Sequence, residues 1–145
     1  MPTPDYTSWE EPLVGTTTNT PTFTIGGTSL VMRSFSLDFA NQLQGRFLIG
    51  SERIIIEDKS ELIETQVEAV PLATLNPYLL AANQSTVAVQ LVHGTQAGNI
   101  VTIDVTKAQM QRPTEITNQN GIVEWPLRLV PLPTAGNDQF TITFT

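Results

Sequence analysis

The chain contains a single histidine, His93, and this residue is the first place to look for acid–base or nucleophilic chemistry. A catalytic triad needs a nucleophile, a base and an acid that orients the base. His93 stands in the run Leu91-Val92-His93-Gly94-Thr95, and no Gly-x-Ser-x-Gly or comparable nucleophile motif accompanies it. We therefore interpret His93 as a turn residue that hydrogen-bonds to the backbone, and we expect no enzymatic activity.

Carboxylates are densest between residues 57 and 68, where a metal ion could be held. The run contains Glu57, Asp58, Glu61, Glu64 and Glu68, with Lys59 among them. It lacks the Asp-x-Asp-x-Asp-Gly spacing of a calcium loop, and a chain without cysteine has no thiolate to offer zinc. Gly26-Gly27 is not followed by the lysine and helix of a phosphate loop. We predict a solvated acidic face, with no metal and no cofactor.

The charge distribution excludes several classes of protein. The net charge is −7, and charged residues make up 14% of the chain, against about a quarter in typical proteins. Duplex DNA binding normally needs a basic patch, which seven scattered basic residues do not suggest. Residues 69–103 contain no charged residue, yet prolines, asparagines and a glycine interrupt them. We expect no membrane span and no signal peptide, and we infer that this uncharged flank is covered.

Apolar and polar residues alternate along seven segments, as they do in half-buried β-strands. The segments are 34–40, 52–58, 63–69, 86–92, 101–105, 123–129 and 140–144. Turn formers such as Asn120-Gly121 separate them. Pro126 lies inside one segment and predicts an edge strand or a bulge there. The pattern predicts an all-β fold, an antiparallel sandwich or barrel.

One short helix and an irregular arm complete the predicted organisation. Asn76 is a suitable N-cap, Pro77 suits the first helical position, and Asn83 could end the helix in the left-handed conformation. Residues 1–21 are rich in threonine and proline and predict an extended arm or linker, in which Trp9 could contact a neighbour. Residues 22–145 form the predicted β domain with its one short flanking helix.

Several turn-and-strand motifs, in their order, resemble a known family. They are Phe23-Thr24-Ile25-Gly26-Gly27, the run 34–42, the lead-in Leu72-Ala73-Thr74-Leu75, Val92-His93-Gly94-Thr95, Ala97-Gly98-Asn99, and Ala135-Gly136-Asn137-Asp138. Together they resemble one repeat of the bacteriophage tail tube protein family, over residues 23–145. The resemblance implies a virion tail location, host cytoplasm during assembly, and rings that stack around a channel for DNA. Related secretion or injection tubes share the implied fold.

The resemblance implies partners and surfaces for this chain. The partners are further copies of itself, as a trimer of tandem domains or a hexamer, with other tail proteins, and DNA only as passing cargo. One domain departs from the tandem pattern, so the chain is either the C-terminal half of a longer subunit or a single-domain relative. We expect Thr86 to Val92 to meet the next subunit by backbone pairing and through Ala88 and Val92.

Charge suggests which residues line the channel. An acidic wall would let DNA slide without sticking, and we expect some of the four residues Asp38, Glu57, Glu64 and Glu68 to face the channel. The alternative interpretation is a carbohydrate-binding or adhesin-like β-sandwich of a tail tip or baseplate. That alternative requires clustered aromatic side chains, and Trp9, Tyr78 and Trp125 are far apart in the chain.

Overall fold

The computed structural model describes residues 12–145, which form antiparallel strands and one short helix. The strands are β1 (Thr22–Ile25), β2 (Thr28–Ser29), β3 (Met32–Asp38), β4 (Gln42–Leu48), β5 (Ser51–Asp58), β6 (Leu62–Glu68), β7 (Thr86–His93), β8 (Val101–Met110), β9 (Thr117–Gln119), β10 (Ile122–Pro131) and β11 (Thr141–Phe144), and the helix is α1 (Pro77–Ala82). The predicted all-β class with a short helix is confirmed. Strands β1, β2, β4 and β9 are missing from the seven predicted segments.

The main sheet curls so that the strands at the two ends of its order, β2 and β3, come close to each other. The path runs β2-β1-β7-β8-β10-β6-β3, while β11 pairs with β8 and β9 pairs with β10. β2 leads into β3 through Leu30 and Val31, so both ends of the path lie on one continuous length of chain. The Leu30 N–H donates to the Phe23 carbonyl (3.1 Å), and the Glu68 N–H donates to the Val31 carbonyl (2.9 Å). The arrangement is therefore barrel-like.

Alternation in the sequence sorts side chains between the inside and the outside of this sheet. In β6, Ile63 and Val67 are buried, whereas Glu64 between them is exposed. The same rule brings Trp125, Leu127 and Leu129 of β10 inside. The buried apolar core is completed by Phe23, Ile25, Leu30, Leu75, Val89, Val105, Ala108 and Met110. Each large side chain contributes about 1.5–3 kcal/mol by leaving water, which is why the fold needs no disulfide.

Pro126 sits in a gap between two ladders rather than on an edge strand. On one side β10 pairs with β6 without a bulge, from Glu124 to Leu129. On its other side β10 pairs with β9 over residues 122–124 and with β8 over residues 129–131. The Arg128 carbonyl accepts from Gln111 on that side, and Pro126, two residues away, points its nitrogen the same way. The missing N–H therefore removes no ladder hydrogen bond.

The short helix begins as predicted and ends differently. The Asn76 side chain accepts a hydrogen bond from the Leu79 N–H (2.9 Å), and Pro77 is the first helical residue. The prediction that Asn83 ends the helix in the left-handed conformation is wrong, because its φ is −85°. Gln84, with φ of 53°, takes that conformation one residue later. The helix packs Leu80 against the core, which supplies the stability that six residues lack alone.

The predicted arm is only partly within the described residues. Residues 1–11, including Trp9, lie outside them. Residues 12–21 contain no strand or helix, and a turn over residues 17–19 is closed by the Thr20 N–H, which donates to the Thr16 carbonyl (2.8 Å). This segment is tied to the end of β7, because the Gly94 N–H donates to the Asn19 carbonyl (2.6 Å).

Glu124 is a buried carboxylate at the junction of β3, β6, β9 and β10. It lies on the face of β10 away from the core, as alternation predicts, yet it is only 1% exposed. A bulge in β3 between Met32 and Ser34 aims Arg33 at it, and Arg33 Nε donates to both carboxylate oxygens (2.8 and 2.9 Å). Gln66 Nε2 also donates to it (2.6 Å). These hydrogen bonds, that from Arg33 first, hold the pKa of Glu124 below its usual range.

We expect Glu124→Gln to reduce the fall in melting temperature that lowering the pH causes in the wild-type protein. A carboxyl whose pKa is lower in the folded than in the unfolded chain stabilises the fold above the unfolded pKa, which is about 4.3. This contribution is lost as the pH falls through the folded pKa. Wild-type melting temperature should therefore fall more steeply than that of the variant below about pH 5, and the two should converge at the acid end. Thermal unfolding from pH 7 downward measures this difference.

The matched control for this experiment is Glu64→Gln. Glu64 forms an ion pair with Arg128 (2.7 Å), but both side chains are more than half exposed. Exposed ion pairs add little stability, so this variant should follow the wild-type pH profile. If the melting temperatures of wild type and Glu124→Gln fell in parallel as the pH was lowered, the loss of stability in acid could not be assigned to Glu124.

Candidate self-association surface

The β4–β5 hairpin stands apart from the main sheet. Its two strands pair only with each other and form a separate two-stranded sheet within residues 12–145. All its strand residues are exposed except Ile55, which is half-buried. Ile49 and Gly50 form the turn, in which Gly50 takes the φ of 88° that such a tight turn requires. An isolated two-stranded sheet is marginally stable in water, so contacts beyond those of the described residues would stabilise this hairpin.

The pairing register separates the hairpin into two chemically different faces. Leu43 pairs with Ile56, Gly45 with Ile54 and Phe47 with Glu52, and residues that pair share one face. We call the surface formed by Leu43, Gly45, Phe47, Ile54 and Ile56 the apolar face. Four of its side chains are large and open to solvent, with exposed fractions of 67% for Leu43, 73% for Phe47, 71% for Ile54 and 60% for Ile56. Contiguous exposed apolar groups of this kind mark interaction surfaces.

Gly45 gives the apolar face its shape. A Cβ atom placed on Gly45 would lie 2.6 Å from a ring carbon of Phe47, so the ring folds across the glycine. The ring therefore lies flat along the strand instead of standing away from it. A side chain at position 45 would push the ring of Phe47 outward and change the contour of the face.

The opposite face of the hairpin carries two arginines near the tip. Arg46 and Arg53 are direct cross-strand partners, and both are exposed. Neither forms an ion pair with any residue among 12–145. Like charges directly opposite each other destabilise a strand pair, so this arrangement is unfavourable in the isolated chain.

The base of the hairpin is fixed to the body by two contacts. The rings of Phe39 and Phe140 stack with centroids 4.9 Å apart and an interplanar angle of 6°. On the other strand, Lys59 Nζ donates to the Gln139 side chain (3.0 Å) and lies 3.2 Å from Glu61 Oε1. Both contacts join the hairpin to the segment that precedes β11. The hairpin is thus held at its root while its length is free.

The interpretation of residues 52–58 as a half-buried strand is wrong. These residues do form a strand, but Ile54 and Ile56 share a face that no other part of the described chain covers. Alternation shows that two faces differ in polarity, and it does not show what packs on the apolar one. The sequence signal that could have revealed the hairpin is the pair of apolar residues Leu43 and Phe47 on the other side of Ile49-Gly50.

The four carboxylates predicted to face a channel occupy two places. Asp38, Glu64 and Glu68 share the outer face of β3 and β6, because Asp38 pairs with Leu62 and alternate residues of β6 point the same way. Glu64 contacts Arg128, and Glu68 is half-buried. Glu57 lies on the hairpin instead, at an irregularity in its register. The structure brings three of the four together, and their orientation toward a channel stays a prediction.

The predicted interface on β7 is only partly available. β7 pairs with β1 on one edge and with β8 on the other, so Val89 to Val92 have no free edge for backbone pairing. The expected pairing of this strand with a neighbour is therefore wrong. Ala88 is exposed and Val92 is half-buried. A contact through these two side chains stays a prediction.

His93 holds the arm to the barrel. The Thr20 hydroxyl lies 2.9 Å from Nδ1, and Nε2 lies 3.2 Å from the Leu13 carbonyl oxygen. The contact with the Leu13 carbonyl agrees with the predicted bond to the backbone. Among residues 12–145 no group of three or more metal-ligating side chains comes together. Trp125 is buried in the core, so it cannot belong to a surface aromatic platform.

Comparisons with known proteins complete the description of this surface. No helix among the described residues is both long enough and apolar enough to cross a membrane. A scan against protein-family models gives no match, and a search of curated proteins gives no significant match.

Proposed function

We propose that this chain is a structural subunit that self-assembles into the rings of a tube, as its resemblance to phage tail tube proteins implies. In this role copies of the chain surround a channel, and DNA passes through it as cargo. The chain works in the virion tail, with other tail proteins as its neighbours. The barrel-like fold with one short helix is consistent with that role.

The observation that carries the proposal is the apolar face of the hairpin. Among the described residues, nothing covers the four large apolar side chains, and the contacts that anchor the hairpin lie at its base. Exposing them is unfavourable by about 1.5–3 kcal/mol each relative to full burial. A ring is built from head-to-tail contacts, in which one patch of each subunit meets a different patch of the next. A projecting arm with an apolar face is suited to such a contact.

The outer face of β3 and β6 is the proposed channel wall. Glu64 and Glu68 lie on it, with Arg128 paired to Glu64 and Arg33 near Glu68. A wall with net negative charge repels DNA within the screening distance of about 8 Å at physiological salt. A wall rich in arginine would instead hold the phosphates by releasing their counterions.

Electron microscopy of concentrated protein tests the proposal. Negative-stain images at increasing protein concentration should show rings or short tubes with a central hole. Native mass spectrometry on the same samples should show a closed oligomer. Monomers at every concentration, by both methods, would contradict self-assembly of this chain. The carbohydrate-binding alternative loses one of its three candidate aromatic residues, because Trp125 is in the core.

A further inference from the structure

Charge is sorted along the hairpin from its tip to its base. The cross-strand pair Arg46 and Arg53 gives the tip a net positive charge, with the exposed Glu52 beside Arg53 on the apolar face. Asp38, Glu57 and Asp58 are exposed at the other end, where β3 ends and β5 leaves the hairpin. We call these three carboxylates the acidic base. The hairpin is therefore electrically polar along its length.

Neither end neutralises the other within one chain. Arg53 and Glu57 are four residues apart on one strand, or about 13 Å at the rise of an extended chain. No residue of the acidic base forms an ion pair within residues 12–145. Lys59, the nearest cation in sequence, is engaged by Glu61 and Gln139. Both ends of the hairpin thus carry unpaired charge of opposite sign.

A second copy of the chain can supply charges of the opposite sign to each end of the hairpin. We propose that the tip arginines Arg46 and Arg53 of one copy pair with the acidic base of a neighbouring copy, Asp38, Glu57 and Asp58. This inference rests on the self-assembly proposed above and specifies its charge contacts. Tip and base are different patches, so their contact is head-to-tail and repeats from copy to copy. Complementary charges of this kind select the orientation and speed the encounter.

The contact also explains why two arginines face each other across a strand pair. Their repulsion is unfavourable in the single chain and is relieved when carboxylates come between or beside them. Arginine is suited to this role because its planar group can hold a carboxylate through two parallel hydrogen bonds. The apolar face, on the other side of the same strands, is free to make the larger contact at the same time.

Charge reversal at each end tests the pairing. The tip variant is Arg46→Glu with Arg53→Glu, and the base variant is Glu57→Arg with Asp58→Arg. Asp38 is left unchanged because its side chain accepts from the Ala40 N–H at the root of the hairpin. Each variant alone should assemble about tenfold less readily than wild type, or worse, because both of its ends then carry the same sign. An equal mixture of the two should recover assembly, since each tip then meets a base of opposite sign.

The matched control is Lys107→Glu with Arg112→Glu. These two basic residues are exposed on the body and form no ion pair within the described residues. The control changes the net charge by the same amount as the tip variant, so it should assemble like wild type. Sedimentation velocity over a concentration series measures all five samples, with circular dichroism to check that each remains folded.

The possible results separate this inference from the proposed function. Wild-type protein that stays monomeric overturns both. Wild type that assembles, with tip and base variants that assemble equally well, overturns the charge pairing alone. Folded variants that fail to recover on mixing also overturn it. A fluorescence titration with labelled duplex DNA is the final check, because binding that the tip variant loses would assign the arginines to phosphates instead.

Discussion

Replacing Ile54 and Ile56 with threonine is expected to abolish assembly while the chain stays folded. Threonine keeps the β-branched shape that strands favour, so the hairpin itself should persist. Each substitution removes apolar surface from the face that we propose is covered in the ring. If each isoleucine contributes about 1.5–3 kcal/mol when buried, the pair should weaken association by roughly a hundredfold or more. Sedimentation velocity and negative-stain microscopy measure the loss.

The control for this prediction is the double variant Val31→Thr with Ile116→Thr. Both residues are 60% exposed on the body, close to the values for Ile54 and Ile56, and both are β-branched. The control removes a similar exposed apolar surface from outside the hairpin and should assemble normally. Equal loss of assembly in both double variants would contradict a specific role for the hairpin.

Gly94→Ala is expected to have the largest effect on folding of any single substitution considered. A Cβ atom at Gly94 would lie 2.0 Å from the carbonyl oxygen of Asn99, a distance that forces the backbone of the turn to move. Gly94 also has a φ of 98°, a conformation that side chains disfavour, and its N–H holds Asn19 of the arm. The free energy of unfolding should fall by more than about 4 kcal/mol.

Gly98→Ala separates the two causes of that loss. Gly98 has the same φ of 98°, but no atom lies within 4 Å of the position its Cβ would take. It should therefore lose only the backbone term, about 1–3 kcal/mol. Urea unfolding of both variants gives the comparison. If both variants lost the same free energy of unfolding, the contact between the added Cβ atom at position 94 and Asn99 would contribute nothing to the loss.

The anchored root of the hairpin matters for assembly because it reduces the ordering that binding requires. The stack of Phe39 on Phe140 and the contacts of Lys59 hold both strands where they leave the body. An arm whose direction is already set loses less conformational freedom when it docks. The hairpin can therefore present its apolar face and its tip arginines in a constant orientation to successive neighbours.

Period-two alternation predicted the class of fold and most of the strands correctly. In β6 and β10 most of the apolar residues that the alternation selects are buried, as Ile63 and Leu129 are, although Val123 is exposed. The helix start was equally readable, because Asn76 and Pro77 act through bonds within a few residues. These features depend on local geometry, in which successive side chains of a strand point to opposite sides.

Alternation could not predict which strands have neighbours. β5 places Ile54 and Ile56 on one side, as a core strand would, yet no other part of the described chain covers that side. β7 was expected at a free edge and lies inside the sheet. Alternation places Glu124 on the outer face of β10, where Arg33 and Gln66 cover it. Each outcome depends on whether a segment distant in sequence comes to lie against the residue.

The sequence by itself determined that this protein is an antiparallel β domain with a short capped helix, since strand periodicity and capping are local properties of the chain. The tertiary structure alone decided that no other part of residues 12–145 covers Leu43, Phe47, Ile54 and Ile56, and that the hairpin has a net positive tip and an acidic base. The physical reason is that burial and charge pairing depend on long-range packing and register, which no short stretch of residues encodes.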